Sequence, residues 1–258
     1  MENKDYKKKT IGLLLIATGR YDQFLEPLIE SVNKHFFPLD DIVVYLFGDK
    51  PFYQLKLPKR ISLIIIPTKH EPWPASTLFR YKFFTQAADK MKICSHVFYS
   101  DVDMRMVGDV TDEILFKDEE WVDLIFTRHP GFWNNSEWGS QNVHTASKAY
   151  LEDNLKERYV CGGFNGGKTD KFLEMSRVLA GNIDDDYKIG IICEHNDEAH
   201  TNAFANKIVK YEYPDWKVKD LSPSYCMIPE QDAQIKFGLD GLGAIIYAIS
   251  KNHEELRK

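Results

Sequence analysis

Four short apolar runs, each ending at a residue that stops a strand, constrain this chain more than any other feature. Residues 11–17 read IGLLLIA and end at Thr18-Gly19; residues 42–47 read IVVYLF and end at Gly48-Asp49. Residues 61–66 end at Pro67, and residues 97–100 run into Asp101. Uninterrupted apolar runs are what parallel strands buried on both faces require. Between them, Phe24, Leu25, Leu28, Ile29 and Val32 fall at helical spacing, which predicts a helix over 21–37, with Pro27 accommodated in its first turns. Residues 76–91 predict another helix, capped by Ser76 or Thr77. Strands alternating with helices predict an α/β fold, and such sheets bind ligands at the C-terminal ends of their strands. Thr18, Asp49 and Asp101 occupy such ends, so residues 11–110 are expected to form a nucleotide-binding half.

The second half is less regular. Residues 121–127 read as a further strand and 131–144 as a loop rich in Asn, Ser, Trp and Gly. Residues 159–167, YVCGGFNGG, read as an apolar turn with paired glycines; 168–179 and 196–207 read as helices. No internal repeat and no Pro- or Ser-rich linker divides the chain. A single domain over 1–258 is therefore expected: a tail at 1–10, the nucleotide half, an acceptor and catalytic half at 111–245, and a mobile tail at 246–258.

Composition excludes several classes. A formal net charge of -6, with no basic tract beyond Lys7-Lys8-Lys9, argues against an extended nucleic-acid surface. Cys94, Cys161, Cys193 and Cys226 are widely spaced with no C-x-x-C pair, so they read as reduced, buried residues rather than a zinc knuckle. No apolar stretch approaches the roughly 18 residues of a membrane span, and residues 1–10 lack an apolar signal core. A soluble, cytoplasmic protein is expected.

The chemistry-bearing motif is Asp101-Val102-Asp103, just past the apolar run at 97–100. Two carboxylates one residue apart can meet one divalent metal from a turn, as an enzyme handling a nucleotide diphosphate needs. A D-x-D alone fits a solvated strand-to-loop turn equally well. Four further segments follow in order: His129-Pro130-Gly131-Phe132-Trp133, Cys161-Gly162-Gly163-Phe164-Asn165-Gly166-Gly167, Asn196-Asp197-Glu198-Ala199-His200-Thr201-Asn202 and Leu221-Ser222-Pro223-Ser224-Tyr225, with Lys251-Asn252-His253 near the end. As an ordered set, spanning 11–257, they resemble glycosyltransferase family 6, the group of the ABO blood-group transferases, the α1,3-galactosyltransferase and the Forssman synthase.

That resemblance implies a type-A glycosyltransferase fold, a central mixed but mainly parallel sheet flanked by helices. It also implies transfer of galactose or N-acetylgalactosamine from a UDP-sugar, with retention, to the 3-hydroxyl of a galactoside-type acceptor, possibilities that include a fucosylated galactose. By the same resemblance, Ile16, Ala17, Thr18 and Tyr21 match the segment that holds uridine. Asp101, Val102 and Asp103 match the motif in which the two acids bind manganese or another divalent cation. Arg80 matches an arginine that reaches the donor sugar, and Asp197 the aspartate that contacts it. Glu198 matches the glutamate beneath the anomeric carbon. His129, in the motif that includes Phe132, matches a histidine that lies against the acceptor, and Gly131, Cys161 and Gly163, with Gly162 between the last two, match the positions that shape the space around the sugar's 2-substituent. Lys251 and Arg257 match basic residues of a tail that closes on the diphosphate.

Without the resemblance, Tyr21 reads as an aromatic packed at a helix start, Arg80 as a surface charge, and His129 as a satisfied structural histidine. Asp197 and Glu198 also suit the first turn of any helix. By the resemblance, glycine at Gly163 leaves room for an acetamido group and Gly131 follows the pattern of the N-acetylgalactosamine enzymes, which favours UDP-N-acetylgalactosamine over UDP-galactose. The chain departs from the family at Asn196 and Ala199, where histidine and serine are usual, and at Trp133, where tyrosine is usual. Most compact bacterial members replace D-x-D by N-x-N and work without metal; this chain keeps the acids, so metal dependence is expected. The competing reading is a sugar-nucleotide or glycan-binding protein without turnover, against which Asp197 and Glu198 both argue.

Overall fold

The structure is a computed structural model that describes residues 7–51, 54–134 and 137–256. Among the described residues, eleven strands run in chain order: β1 (Thr10–Ala17), β2 (Asp41–Gly48), β3 (Ile61–Pro67), β4 (His96–Ser100), β5 (Met104–Met106), β6 (Phe116–Lys117), β7 (Glu120–Trp121), β8 (Leu124–Arg128), β9 (Val160–Lys168), β10 (Val218–Leu221) and β11 (Ile246–Ala248). The helices are α1 (Leu25–His35), α2 (Ala75–Leu78), α3 (Arg80–Gln86), α4 (Ala88–Met91), α5 (Thr169–Lys188), α6 (Asp197–Ala203), α7 (Val209–Glu212), α8 (Gln231–Lys236) and α9 (His253–Leu256). Seven strands form one sheet in the order β10-β8-β9-β4-β1-β2-β3. Every neighbouring pair is parallel except the two that β9 makes, antiparallel to β4 and to β8. This is the mixed, mainly parallel sheet of an α/β glycosyltransferase-like fold.

Because side chains alternate along a strand, β1 feeds two cores. Leu13, Leu15 and Ala17 join Leu25, Leu28, Ile29 and Val32 of α1 on one face. Leu14 joins Phe84 of α3 and Phe172 and Leu179 of α5 on the other. Both faces of the sheet are thus covered, as the continuous apolar runs require.

The segment over 159–167 is not a turn but β9, a central strand buried along almost its whole length. Its glycines serve close packing. A Cβ at Gly166 would stand 2.2 Å from Phe98 Cδ1, and one at Gly167, at φ +152, would stand 2.2 Å from the Asp123 carbonyl oxygen. Phe98 lies flat against Phe164, with ring centroids 5.5 Å apart and planes 12° apart, in the space those glycines leave. Glycine pairs mark close backbone approach as readily as a turn.

Other elements differ in their limits. The helix expected at 21–37 starts at Leu25, after a 3-10 turn over Gly19–Phe24. The one expected at 76–91 divides into α2, α3 and α4, broken at Phe79 (φ -100, ψ 15) and Ala87 (φ -101, ψ 5). The strand expected at 121–127 becomes β8, while Trp121 pairs in the separate β6–β7 ribbon. The helix expected at 168–179 continues to Lys188, and that at 196–207 passes through a π-helical stretch at Phe204–Ile208. Among the described residues, no helix is long and apolar enough to cross a membrane.

Candidate active site

The site lies along the edge of the sheet where the parallel strands end. β1 delivers Thr18 there, β4 delivers Asp101, and His129 follows β8 directly. Since β9 runs the opposite way, its start rather than its end reaches this edge, which brings Cys161, Gly162 and Gly163 to the same place. The first turn of α6 supplies Asp197 and Glu198. Together these residues line a cleft of about 680 Å³, a size suited to a small organic ligand.

Arg80 ties the two acidic pairs together. It is 5% exposed, and its Nη1 donates to the Gly162 carbonyl at 3.0 Å. The same Nη1 lies 3.6 Å from Asp101 Oδ1, and Nε lies 2.9 Å from Asp197 Oδ2. Its guanidinium carbon sits 4.5 Å from the centroid of the Tyr99 ring. Burial opposes the charge on Arg80, but Asp197, Tyr99 and Asp101 outweigh it and raise its pKa. Tyr99 in turn donates its hydroxyl to Asp101 Oδ1 at 2.6 Å.

Asp197 is 1% exposed. Burial, partly offset by Arg80 and reinforced by Glu198 and Asp101, pushes its carboxyl up to about 7. The Arg80 Nε–H is directed to the Thr77 carbonyl at 3.3 Å, so Asp197 Oδ2 has a nearby charge but no hydrogen bond. A buried acceptor left in this way costs about 1–3 kcal/mol unless a donor reaches it. Glu198, by contrast, is held at both oxygens: the Tyr159 hydroxyl donates to Oε1 at 2.9 Å and the Gly162 N–H to Oε2 at 3.0 Å.

At the other end of the cleft, Asp103 is 4% exposed and ion-paired through Oδ2 with Lys251. Ile249 N–H donates to the Asp103 carbonyl at 2.9 Å, so the chain after β11 is docked on the D-x-D segment itself. Lys251 also lies 5.9 Å from the Tyr21 ring centroid. Ile16, Thr18, Tyr21 and Val102 line this end, while Ala17 is fully buried in the α1-side core and does not face the cleft.

His129 lines the cleft, and its Nδ1 accepts from the Gly131 N–H at 3.0 Å, which leaves the ring proton on Nε2. Burial lowers its pKa, with Glu198 opposing, so the ring is a neutral donor. Gly131 and Phe132 stand behind His129 rather than on the wall: a Cβ at Gly131 would meet the histidine ring at 3.2 Å, and Phe132 packs on it at 4.8 Å. Arg257 lies outside the described residues.

Sequence reading missed Tyr159, Tyr99, Cys226 and His70. Tyr99 and Tyr159 fall in or beside apolar strand segments, where an aromatic reads as core. Cys226 Sγ would be 2.7 Å from a Cβ at Gly163, which makes it part of the wall beside that glycine. His70 Nδ1 lies 3.1 Å from Thr18 Oγ1, brought there by the segment after β3 with no local signal.

Metal chemistry fits the D-x-D end. Asp101 and Asp103 supply hard carboxylate oxygens to one cleft, and the Lys251 ammonium on Asp103 shows that this carboxylate faces a position where a cation is stabilised. Among the described residues, the group of three with metal-ligand character lies elsewhere, at Asp186, Cys193 and His200, all buried. There the Lys148 N–H donates to both oxygens of Asp186, at 2.9 and 3.1 Å, and the Ser147 hydroxyl also donates to it. Burial pushes His200 down to about 4, with Asp186 opposing, so it is a neutral partner. The cluster is a hydrogen-bonded clamp between the end of α5 and α6, in which His200 Nδ1 is left without a hydrogen bond.

The model of glycosyltransferase family 6 matches residues 1–258, and the chain belongs to that family. It is 27% identical over 198 residues to the O-antigen biosynthesis glycosyltransferase WbnI of Escherichia coli, covering 75% of this chain and 81% of that protein. It is 26% identical over 266 residues to histo-blood group ABO system transferase 1 of Rattus norvegicus, covering 99% and 71%. It is 24% identical over 258 residues to globoside alpha-1,3-N-acetylgalactosaminyltransferase 1 of Gallus gallus, covering 96% and 69%. The protein is a glycosyltransferase, with a nucleotide-sugar donor and a glycan acceptor.

Proposed function

We propose that this protein is a retaining, metal-dependent α1,3-glycosyltransferase that moves N-acetylgalactosamine, in preference to galactose, from a UDP-sugar to a galactoside-type acceptor. The observation that carries the reading is Arg80 bridging two acidic pairs in one cleft, Asp101 of the D-x-D on one side and Asp197 beside Glu198 on the other. Uridine binds beside Ile16, Thr18 and Tyr21. Asp101 and Asp103 hold a divalent cation, which neutralises charge on the diphosphate when bound. Lys251 adds a charge-assisted contact to the same group.

The sugar then lies between the diphosphate and Glu198. A sugar hydroxyl donates to Asp197 Oδ2, the buried oxygen that has no hydrogen bond. The bond from the anomeric carbon to the diphosphate oxygen breaks, and the electron pair leaves with UDP. Glu198, its oxygens fixed by Tyr159 and Gly162, faces the positive charge that develops at that carbon. The acceptor 3-hydroxyl, near neutral His129, forms the new glycosidic bond on the original face, and its proton leaves with the product diphosphate or solvent. Gly163, with Cys161 and Cys226 around it, leaves space for the 2-acetamido group.

The test is UDP release from UDP-N-acetylgalactosamine and UDP-galactose, each with manganese and with chelator, with and without a fucosylated galactoside. Manganese-dependent release, greater from the N-acetyl donor, is expected. Full activity in excess chelator would overturn the metal requirement, and faster turnover of UDP-galactose would overturn the donor assignment.

A further inference from the structure

Tyr159 joins two parts of the molecule that the chemistry has to coordinate. It sits immediately before β9, is 3% exposed, and is not itself on the cleft wall. Its hydroxyl reaches Glu198 Oε1 at 2.9 Å on one side and Ser140 Oγ at 2.8 Å on the other. Its ring is gripped edge-on by three rings from the segment after β8: Phe132 at 4.9 Å, Trp138 at 4.9 Å and His129 at 5.6 Å. A Cβ at Gly139 would stand 2.5 Å from Tyr159 Cζ, so the backbone of that segment is also pressed against the phenol. Burial, with Glu198 next, pushes the phenol pKa up, so the hydroxyl stays a donor.

A carboxylate turns freely about its last bond unless both oxygens are engaged from different directions. Glu198 has one donor from the backbone of β9 and one from Tyr159. Removing the second leaves Oε2 held and Oε1 free to swing. We propose that Tyr159 is a positioning residue that couples the segment carrying His129, Phe132, Trp138 and Ser140, of which His129 reaches the cleft, to Glu198, so that order in this segment sets the aim of the carboxylate. Anything that seats against these rings, as a glycan acceptor does through its apolar sugar faces, then tightens the Ser140–Tyr159–Glu198 chain. This inference rests on the role given to Glu198 above.

The test is a double-mutant cycle on steady-state kinetics with the UDP-sugar. Tyr159→Phe keeps the ring and deletes only the hydroxyl. It is expected to lower kcat by about 10- to 100-fold, the effect of one lost buried hydrogen bond to a charged group, while donor KM and UDP affinity stay within about two-fold. In a Glu198→Gln background the same change is expected to add little, because residues that act as a unit are not additive. Ser140→Ala is expected to lower kcat more mildly, again without moving donor KM.

If Glu198→Gln alone keeps wild-type turnover, the role of Glu198 fails and takes this inference with it. If Glu198→Gln is impaired while Tyr159→Phe keeps wild-type kcat, the positioning role alone fails; independent, multiplying losses in the double variant overturn it equally. Should Tyr159→Phe no longer bind UDP, Ser140→Ala decides: unchanged kcat there overturns the coupling.

Discussion

Gly163 shows how a single missing side chain shapes the cleft wall. A Cβ there would stand 2.7 Å from Cys226 Sγ and 3.5 Å from Asp101 Oδ2. The space beside this glycine is therefore taken up by a thiol contributed from a distant part of the chain. Gly163→Ala should overpack this wall, at a cost of about 1–3 kcal/mol. Donor KM is expected to rise by about ten-fold, and adding Cys226→Ala should recover most of it. A Gly163→Ala enzyme with unchanged donor KM would mean that the sugar does not approach this wall. At the same scale, Glu198→Gln removes the charge while its amide oxygen can still accept from the Gly162 N–H and its NH2 can donate to the Tyr159 hydroxyl oxygen. It should lower kcat by about 100-fold or more with UDP binding retained, and near-wild-type transfer would show that the charge at this position is not used.

At the scale of elements, what the sequence displays depends on how local the cause is. Strands β1, β2 and β4 are legible because each is buried on both faces, so burial alone makes an apolar run; β3, at the sheet edge, is apolar though only partly buried. The D-x-D was legible because its two acids are adjacent. β9 was not, because its glycines answer to Phe98 and to the Asp123 carbonyl on neighbouring strands, contacts with no local trace. Arg80 and Asp197 are an ion pair between α3 and α6, and only the ordered motifs connected them. Tyr159 was invisible for a similar reason, since an aromatic beside an apolar strand reads as core until its hydroxyl partner is known. The glycines of β9 can be tested directly. Gly166→Ala places a methyl group 2.2 Å from the Phe98 ring, in a core where Phe98 is stacked on Phe164 and cannot retreat freely. It should destabilise the fold by about 1–3 kcal/mol, read as a lower denaturant midpoint. Gly190→Ala meets no atom within 4 Å, and its cost comes only from the positive φ of 77 at the end of α5. A Gly166→Ala protein as stable as the wild type would contradict the close packing of β9 on β4.

At the scale of the whole molecule, the cleft is assembled from both ends of the chain, and the sheet that carries it has its own pH limit. The end of β1 and the chain after β11 meet near the D-x-D, where Arg20 Nη1 also donates to the Glu255 carbonyl at 3.0 Å. Beneath the site, β4 begins with His96, which is 4% exposed, stacks on Trp121 at 5.4 Å and leaves Nε2 without a hydrogen bond. Burial, then Lys168 and Lys9, push this ring from 6.5 down to about 4, with Asp112 and Asp170 opposing. The folded pKa thus lies below the unfolded one, so the folded state favours the neutral ring. The stability this contributes is complete above about pH 6.5 and is lost progressively as pH falls toward 4, to the extent of roughly 3 kcal/mol. Burial also lowers His200, which adds to the same slope. Asp197, pushed up to about 7, acts in the opposite sense, so the test is a difference in Tm between wild type and His96→Phe, measured from about pH 6.5 down to 4. His96→Phe keeps a ring against Trp121 and removes the titration, so its Tm should fall less over that interval, with the remaining slope carried by His200 and the carboxylates. An unchanged slope in His96→Phe would mean that β4 admits the protonated ring without cost, against the burial seen at this position.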